Sequence, residues 1–420
     1  MKYIQNALPL LLVTLWFGCD DLEFPDPNAP STDVASVQTL VTGAESGLRL
    51  AFALYLREVS SVGREAYYLE PADPRYTGEL LRGPLDPGGF LVYTPWAARY
   101  RVIANCRILQ NTFADDIGAV GFAKTVEAYQ LLMVVNMQNG NGAKIAPYNG
   151  LESDVSSKSA VFTEIAALLD AGYSSLTSAG SSFSFTLSSG FSGFDTPATF
   201  AQFNRAIRAR VAVYMDEWST ALTALDNSFM DSSADMDLGV YHVYSSGQGD
   251  LGTGGVSSGN GMYADPTASF VKLMGHPTYE TDAEAGDPRF SSKVTERSTE
   301  ITYDGLTSDL APTMWTGDYD PVAIIRNEEL VLLKAEATIA GGTSGGLTEI
   351  NIVRAAHGLP DAASGGLTQL LHEKRYSLFL EGHRWIDMRH YSKLGDLPLD
   401  RDGDTVFEDY PIPETEIEGG

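Results

Sequence analysis

The segment EGHRWIDMRHY, residues 381–391, contains a glutamate, an aspartate, two histidines and two arginines within eleven residues. On a helix, His383, Asp387 and His390 stand at positions i, i+4 and i+7, which places them on one face. Imidazole and carboxylate groups at this spacing could bind a metal ion or exchange protons with a substrate. The segment is therefore the first candidate for chemistry.

A predicted helix over residues 367–391 would position these groups. At 100° per residue, its apolar side chains fall within an arc of about 120°, which predicts a buried stripe. The stripe comprises Leu371, Leu378, Phe379, Gly382, Trp385 and Ile386. His372, Tyr376 and the three candidate residues lie on the adjoining flank, where Arg375, Arg384 and Arg389 could pair with Glu381 and Asp387. We interpret the flank as a structural polar network and predict no metal site, with metal binding as the alternative.

Other motifs fit catalytic or metal-binding patterns poorly. QNGNGAK (138–144) lacks the spacing of a phosphate loop, and HEKRY (372–376) has Tyr376 where a zinc protease has its second histidine. DRDGDTVFED (400–409) alternates carboxylates as calcium loops do, but Gly403 is its fourth residue instead of the sixth. We expect a solvated acidic turn there, with calcium binding at Asp400–Glu408 as the alternative. The sequence predicts no enzyme and no cofactor.

Composition excludes several partners. The chain has 420 residues, of which 44% are hydrophobic and 20% charged, as expected for a globular protein with a substantial core. Its formal net charge of −27 would repel nucleic acid and anionic lipid surfaces. Neutral and cationic ligands remain compatible with this charge.

The N-terminal sequence indicates export. Residues 7–18, ALPLLLVTLWFG, form an apolar stretch too short to span a bilayer, and Cys19 follows directly. This arrangement resembles a bacterial lipoprotein signal, so we predict a signal peptide over 1–18, lipidation of Cys19 and an acidic, proline-rich tether over 19–33. A buried first helix is the alternative. If Cys19 is lipidated, Cys106 is a lone thiol.

The remaining residues, 34–420, are predicted to form one domain dominated by helices. The segment FNRAIRARVAVYMDEWSTALTALD, residues 203–226, resembles a tetratricopeptide helical hairpin. Residues 228–320 are rich in glycine and serine and predict long loops with a few short strands. The tail, 406–420, is predicted to be non-helical because of Pro411 and Pro413. Apolar periodicity predicts helices over 34–57 (capped by Thr32 or Asp33), 96–114, 119–138, 159–176, 198–217, 218–227, 322–340, 347–356 and 367–391.

Four C-terminal motifs carry a family resemblance. They follow one another as RNEELVLLKAEA (326–337), INIVRAAHGLP (350–360), LLHEKRYSLFLEGHRWIDMRHY (370–391) and YPIPETEI (410–417). In this order they resemble the C-terminal signature of SusD/RagB nutrient-binding outer-membrane lipoproteins of Bacteroidota. PDPN (25–28), GDPRF (286–290) and the DDLE sequence after Cys19, which looks like a surface-export signal, extend the resemblance over most of 19–420.

The resemblance implies a mainly α fold, a SusD-like superhelix of tetratricopeptide-like helix pairs under a loop-rich binding face. It also implies a lipid-anchored protein on the cell surface of the outer membrane, acting as the lid of a SusC-like TonB-dependent transporter. No catalytic apparatus comes with the family. In such proteins the signature residues form scaffold and do not contact ligand; here they are Glu373, Arg375, Glu381, Arg384, Trp385 and Asp387.

A glycan site would need aromatic rings that stack on pyranose faces and polar groups that reach the hydroxyls. Two segments, 72–96 and 313–321, offer such residues on predicted loops, and the resemblance implies that ligand sites are often built from these regions. Trp96 and Trp315 could instead pack in the core. The candidates are Asp73, Arg75, Tyr76, Arg82, Tyr93, Trp96, Trp315 and Tyr319.

These observations together predict a non-enzymatic, surface-anchored lipoprotein that binds a nutrient, an oligosaccharide in the first instance, for a SusC-like transporter. The main alternative is a structural tetratricopeptide-type adaptor that binds protein segments. A hydrolase is a distant third.

Overall fold

Helices make up most of the computed structural model, which describes residues 35–145, 154–245 and 259–417. From Ser36 onward the described residues form one compact unit. The helices are α1 (Val37–Arg49), α2 (Phe52–Val62), α3 (Glu79–Arg82), α4 (Phe90–Thr112), α5 (Ile117–Gln138), α6 (Lys158–Ser178), α7 (Pro197–Tyr214), α8 (Trp218–Asp226), α9 (Thr278–Thr281), α10 (Pro288–Lys293), α11 (Asn327–Ala340), α12 (Leu347–Ala356), α13 (Leu367–Ser377), α14 (Arg384–His390) and α15 (Glu414–Ile417).

Successive long helices pack against one another. Contacts run from α1 to α4, then through α5, α6, α7 and α8 to α11, which also packs on α12 and α13. Short polar side chains begin several of these helices: Asp116 accepts from Ala119 N at 3.0 Å, and Thr196 and Thr199 form a capping box on α7. The predicted tetratricopeptide-like helix pairs are confirmed, and α7 and α8 form the predicted hairpin.

The strands of the described residues form three small antiparallel sheets. The strands are β1 (Ala66–Tyr68), β2 (Gly239–His242), β3 (Leu273–Gly275), β4 (Val294–Tyr303), β5 (Leu306–Pro312) and β6 (Val322–Arg326). They pair as β1–β3, β2–β6 and β4–β5, with Tyr67 opposite Met274, Val240 opposite Ile325 and Thr302 opposite Thr307. The β4–β5 hairpin is longer than the short strands predicted for 228–320.

Two of the predicted helices are interrupted. The predicted helix 34–57 divides into α1 and α2 because Ala51 has a left-handed backbone, with φ at 52°. Its cap is Ser36, whose hydroxyl accepts from Thr39 N at 3.1 Å, and not Thr32 or Asp33. The predicted helix 367–391 divides into α13 and α14, with left-handed Leu380 and Gly382 between them. Gly382 has little room for a side chain, because a Cβ there would lie 3.1 Å from Leu56 of α2.

Three further boundaries differ from the prediction. The predicted helix 322–340 begins as strand β6, and only Asn327–Ala340 is helical, as α11. Helix α4 begins at Phe90 instead of residue 96 and contains Pro95 in its second turn, where the proline removes one backbone hydrogen bond without ending the helix. The tail is not fully irregular, since α15 begins directly after Pro413. Proline interrupts a helix that precedes it and is compatible with one that starts after it.

Candidate functional site

The three candidate residues of EGHRWIDMRHY do not meet at one point. Asp387 accepts from Lys374 Nζ at 2.6 Å, whereas the His383 Nε2 atom lies 3.7 Å from Glu329. His390 Nε2 lies 3.4 Å from Asp216 instead. Burial lowers the pKa of His383 well below its usual value, so this histidine is neutral at physiological pH. Within the described parts of the chain, no group of three or more His, Cys, Asp or Glu side chains could hold a metal ion.

Two of the three predicted arginine partners of this segment are wrong, whereas the third, Arg384, interacts electrostatically with Asp387. Glu381 pairs with Arg326, whose Nη2 lies 2.9 Å away, and Arg375 pairs with Asp282 at 2.6 Å. Arg389 contacts two backbone carbonyls and the ring of Trp385. The error follows from the broken helix, since a continuous helix would have placed Arg375 on the face it was assigned to.

A buried ion-pair network surrounds these residues. The carboxylate of Glu373 accepts from Arg289 at 2.6 Å and from Arg354 at 2.8 Å, and all three side chains are buried. Lys374 donates to both Glu336 and Asp387, at 2.9 and 2.6 Å. We refer to these contacts, together with the Arg326–Glu381 pair, as the C-terminal network. Because its charges are satisfied internally, this network has little capacity left for a ligand.

The acidic segment 400–409 is also engaged internally and is not the solvated turn expected from its sequence. Asp404 is buried and accepts from Arg401 at 2.8 Å, and Asp400 accepts from His276 Nε2 at 3.1 Å. Calcium would have to displace these hydrogen-bond partners.

The first candidate segment places Asp73, Arg75 and Tyr76 around one aromatic cluster. Arg75 donates to Asp73 at 2.7 Å and lies 4.4 Å above the ring of Phe90. The hydrogen bond from Arg75 lowers the pKa of Asp73, which is therefore ionised. Tyr76 is buried edge-on against Phe90 and Tyr68, with ring centroids 5.6 and 4.6 Å apart.

Tyr93 and Trp96 lie on helix α4, not on a loop. Tyr93 follows Phe90 by one turn and is 45% exposed, so its ring is available to a ligand. Trp96 is only 3% exposed and packs on Tyr100 with ring centroids 4.6 Å apart. The expectation that Trp96 offers a loop platform is wrong, because α4 begins before Trp96 and places its side chain in the core.

Arg82 belongs to a different group. Its guanidinium lies 3.6 Å from both Asp304 and Asp404, and Arg401 also binds these two carboxylates. The contacts of Arg82 therefore connect it to the β4–β5 turn and the C-terminal tail, and none joins it to Asp73 or Tyr76.

The second candidate segment, 313–321, has one buried and one exposed ring. Trp315 is 7% exposed, and its indole Nε1 donates to the Pro321 carbonyl at 3.1 Å, so it stabilises the turn from within. Tyr319 projects from the same turn and is 55% exposed. The carboxylate of Asp320 accepts from Thr316 Oγ1 at 2.9 Å and Gly317 N at 3.1 Å, which fixes the conformation of the turn that carries Tyr319.

Two residues that the sequence did not single out connect these segments. Arg57 of α2 lies 4.5 Å above the Tyr68 ring and donates to the Gly261 carbonyl. Asn260 donates from its backbone to Asp318 O at 2.6 Å and from its side chain to Asp320 O at 3.1 Å. Its position between two glycines in SGNGMY was the available signal for Asn260. Arg57 lies at the end of a predicted helix, and no sequence signal distinguished it.

These contacts link the segment around Tyr68 and Tyr76 to residues 259–264 and 313–321. We call the surface formed by residues 69–76, Tyr93, 259–264 and 313–321 the loop face. Of the candidates, Asp73, Arg75, Tyr93 and Tyr319 are at least partly exposed on it, while Tyr76 and Trp315 lie beneath it.

The contacts described above do not bear on the predictions made for the N-terminus and for Cys106. Cys19, the signal peptide and the tether lie outside the described residues. No helix in the described part of the chain is long and apolar enough to cross a membrane. Cys106 is buried and unpaired.

Comparison with known proteins gives a result for the structure but none for the sequence. No family model matches the chain, and no curated protein matches it. A laminarin-binding SusD-like protein superposes with a TM-score of 0.68 at 18% identity, covering 91% of this chain and 97% of that one. A SusD-like carbohydrate-binding protein from Bacteroides vulgatus has a TM-score of 0.61 at 16% identity, covering 84% and 82% of the two chains. A crystal structure with xylogluco-oligosaccharide has a TM-score of 0.62 at 14% identity, covering 84% and 83%.

The chain has the SusD-like fold. The overlap covers 91% of this chain and 97% and 96% of two of the SusD-like structures. The fold inferred from the C-terminal motifs is confirmed.

Proposed function

We propose that the chain is a SusD/RagB-family lipoprotein that binds glycans at the cell surface and delivers them to a SusC-like TonB-dependent transporter. The observation that carries the proposal is the exposure of Tyr93 and Tyr319 on the loop face of a SusD-like fold. Similar structures include a laminarin-binding protein and one solved with xylogluco-oligosaccharide, which supports an oligosaccharide ligand.

The chemistry of the loop face suits a neutral sugar chain. A tyrosine ring offers an apolar surface to the C–H face of a pyranose, and its hydroxyl remains able to form hydrogen bonds. Asp73 accepts from Arg75 Nε and Nη2, which holds the guanidinium in place and leaves Nη1 to donate to a sugar hydroxyl. A neutral ligand also avoids repulsion from the net charge of −27.

The proposed role involves binding and transfer only, without a catalytic step. Lipidation of Cys19 would anchor the chain to the outer membrane, and the acidic tether would let the loop face close over a transporter. We expect Cys19→Ala to abolish palmitate labelling in the native host and to release the protein from the membrane fraction. Continued labelling of the variant would contradict the anchor.

Glycan binding can be tested with affinity gels that contain laminarin or xyloglucan, followed by a glycan array. We expect Tyr93→Ala and Tyr319→Ala each to weaken binding about tenfold, because each removes one stacking platform. Ile117→Ala is the matched control, since Ile117 is 43% exposed but lies at the start of α5.

The alternative, an adaptor that binds protein segments, makes a different prediction. If no glycan binds and a transporter still co-purifies with the chain, the glycan site is wrong while the role as a transporter partner remains. If neither is found and peptides bind instead, the adaptor is the better description.

A further inference from the structure

A cavity opens in the helical array. It has a volume of about 470 Å³, and its walls come from α5, α6, α14 and the turn after α7. None of its lining residues belongs to the loop face. Ligand pockets in proteins typically measure about 300–1,000 Å³, so this cavity could hold a molecule the size of a monosaccharide or an amino acid.

Two cationic side chains line the cavity, and neither forms an ion pair with a carboxylate of the described residues, although Asp409 and Glu408 act on both at longer range. Lys158 Nζ donates to the side-chain oxygen of Asn139 at 2.6 Å. Arg389 donates to the backbone carbonyls of Glu408 and Asn136 at 2.7 and 2.8 Å. Both cations are therefore held by neutral acceptors, in contrast to Arg289 and Lys374 of the C-terminal network, which each contact two carboxylates.

The two cations are also close enough to repel one another. Partial burial lowers the pKa of Lys158, and the positive charge of Arg389 lowers it further. Burial lowers the pKa of Arg389 to about 10, so Arg389 still carries its charge at neutral pH. An anion placed between them would relieve the repulsion and gain charge-assisted hydrogen bonds.

The rest of the cavity separates into an apolar wall and a polar mouth. Phe162, Tyr214 and Ile386 are buried and supply the wall. Asp216 is the one carboxylate among the described lining residues; it lies at the exposed mouth, 3.4 Å from His390 Nε2. With His390 neutral, the lining itself carries two positive charges and one negative charge, and the nearby carboxylates of Asp409 and Glu408 offset part of the positive charge.

We propose that this cavity, the α6–α14 cleft, is a second binding site that takes a small carboxylate-bearing molecule. The carboxylate would lie between Lys158 and Arg389, with the remainder of the ligand against Phe162 and Tyr214. Two sources share this chemistry, namely an acidic monosaccharide such as a hexuronic acid and a free amino acid. The site is separate from the loop face, so it does not depend on the function proposed above.

Isothermal titration of the full chain with sodium glucuronate, phenylalanine and glucose tests this inference. We expect at least one of the two carboxylates to bind and glucose, which has the size of glucuronate but no charge, not to bind. Lys158→Met should weaken that binding about tenfold or more, because it removes a charge-assisted contact. Lys158→Arg keeps the charge and should restore most of the affinity.

Lys334→Met is the matched control, since it removes the same charge from α11, where Lys334 lies 3.4 Å from Glu349. It should leave the titration unchanged. Binding of phenylalanine alone, or of glucuronate alone, identifies the source of the carboxylate and supports the site. The inference is overturned if neither acid binds at millimolar concentration, if glucose binds equally well, or if Lys158→Met has no effect while its circular dichroism spectrum is unchanged.

Discussion

The C-terminal network and the loop face both concentrate polar side chains, but they use them in opposite ways. In the network, Glu373 is buried between Arg289 and Arg354, so its charge is fully matched inside the protein. On the loop face, Tyr93 and Tyr319 are about half exposed, and Arg75 is 41% exposed despite its contact with Asp73. Charge density alone therefore does not distinguish a binding surface from a structural network.

The difference has an energetic basis. Each charge of a buried ion pair has lost its hydration, and its partner compensates for that loss. Removing either partner leaves the other charge buried without compensation, which destabilises the folded state. An exposed aromatic ring contributes little to folding, because much of its surface stays in water. The network should therefore respond to mutation through stability, and the loop face through ligand affinity.

The largest effect should come from Glu373→Ala. This change leaves Arg289 and Arg354 without the carboxylate that bridges them, and we expect a loss of about 3–5 kcal/mol in the free energy of unfolding. Urea denaturation measures it. The matched control is Glu300→Ala on β4, which removes an exposed carboxylate and should change stability by less than about 0.5 kcal/mol. Equal effects of the two changes would contradict the distinction between buried and exposed charge.

The next largest effect concerns Glu65, which is buried next to the network. Burial raises the pKa of Glu65 to about 7, against the opposing field of Arg384. Between about pH 4.5 and 7 the folded chain retains a proton that the unfolded chain has released, so this group makes stability fall as pH rises. Above pH 7 both states are ionised, and the loss stays constant.

Glu65→Gln removes this titration. We expect the variant to match the original chain near pH 4.5 and to be more stable by up to about 3 kcal/mol at pH 8. Denaturation at several pH values gives the difference between the two proteins as a curve. A difference that does not vary with pH would show that Glu65 is not the titrating group.

The smallest effect on stability should come from Tyr319→Ala. Because the ring is 55% exposed and the turn is held by Asp320 and Trp315, we expect a change below about 0.5 kcal/mol. Trp315→Ala is the contrast, since it removes a buried ring from the same turn and should cost about 3–5 kcal/mol. Comparable losses in melting experiments would mean that Tyr319 is part of the core and not a free platform.

The helical part of the fold could be predicted because apolar periodicity records which face of a helix is buried. The interruptions of the predicted helices could not be predicted, because they depend on contacts between residues that are distant in sequence. Ala51 has no sequence feature that indicates a left-handed backbone, and Gly382 is required by its approach to Leu56. The β4–β5 hairpin is different, since its Asp304–Gly305 turn is a strong hairpin signal that the glycine-rich composition of 228–320 concealed.

The sequence located the candidate site as two segments of the chain, but it did not indicate which residues within them are exposed. The two segments chosen from turn residues and aromatics do contribute to the loop face, through Arg75 and Tyr319. Which rings are exposed depends on details such as the start of α4, which buries Trp96 and leaves Tyr93 in solvent. Arg57, which joins the segments, becomes visible only when the chain is folded, whereas Asn260 had its two flanking glycines as a signal.

The central claim is that the loop face binds the glycan and the C-terminal network supports the fold. Its most direct test is the migration of the Tyr93→Ala/Tyr319→Ala double variant in an affinity gel made with the polysaccharide that retards the original chain most strongly. We expect the retardation to be lost while the melting temperature stays within a few degrees and Ile117→Ala migrates like the original chain. Undiminished retardation of the folded double variant would contradict the claim.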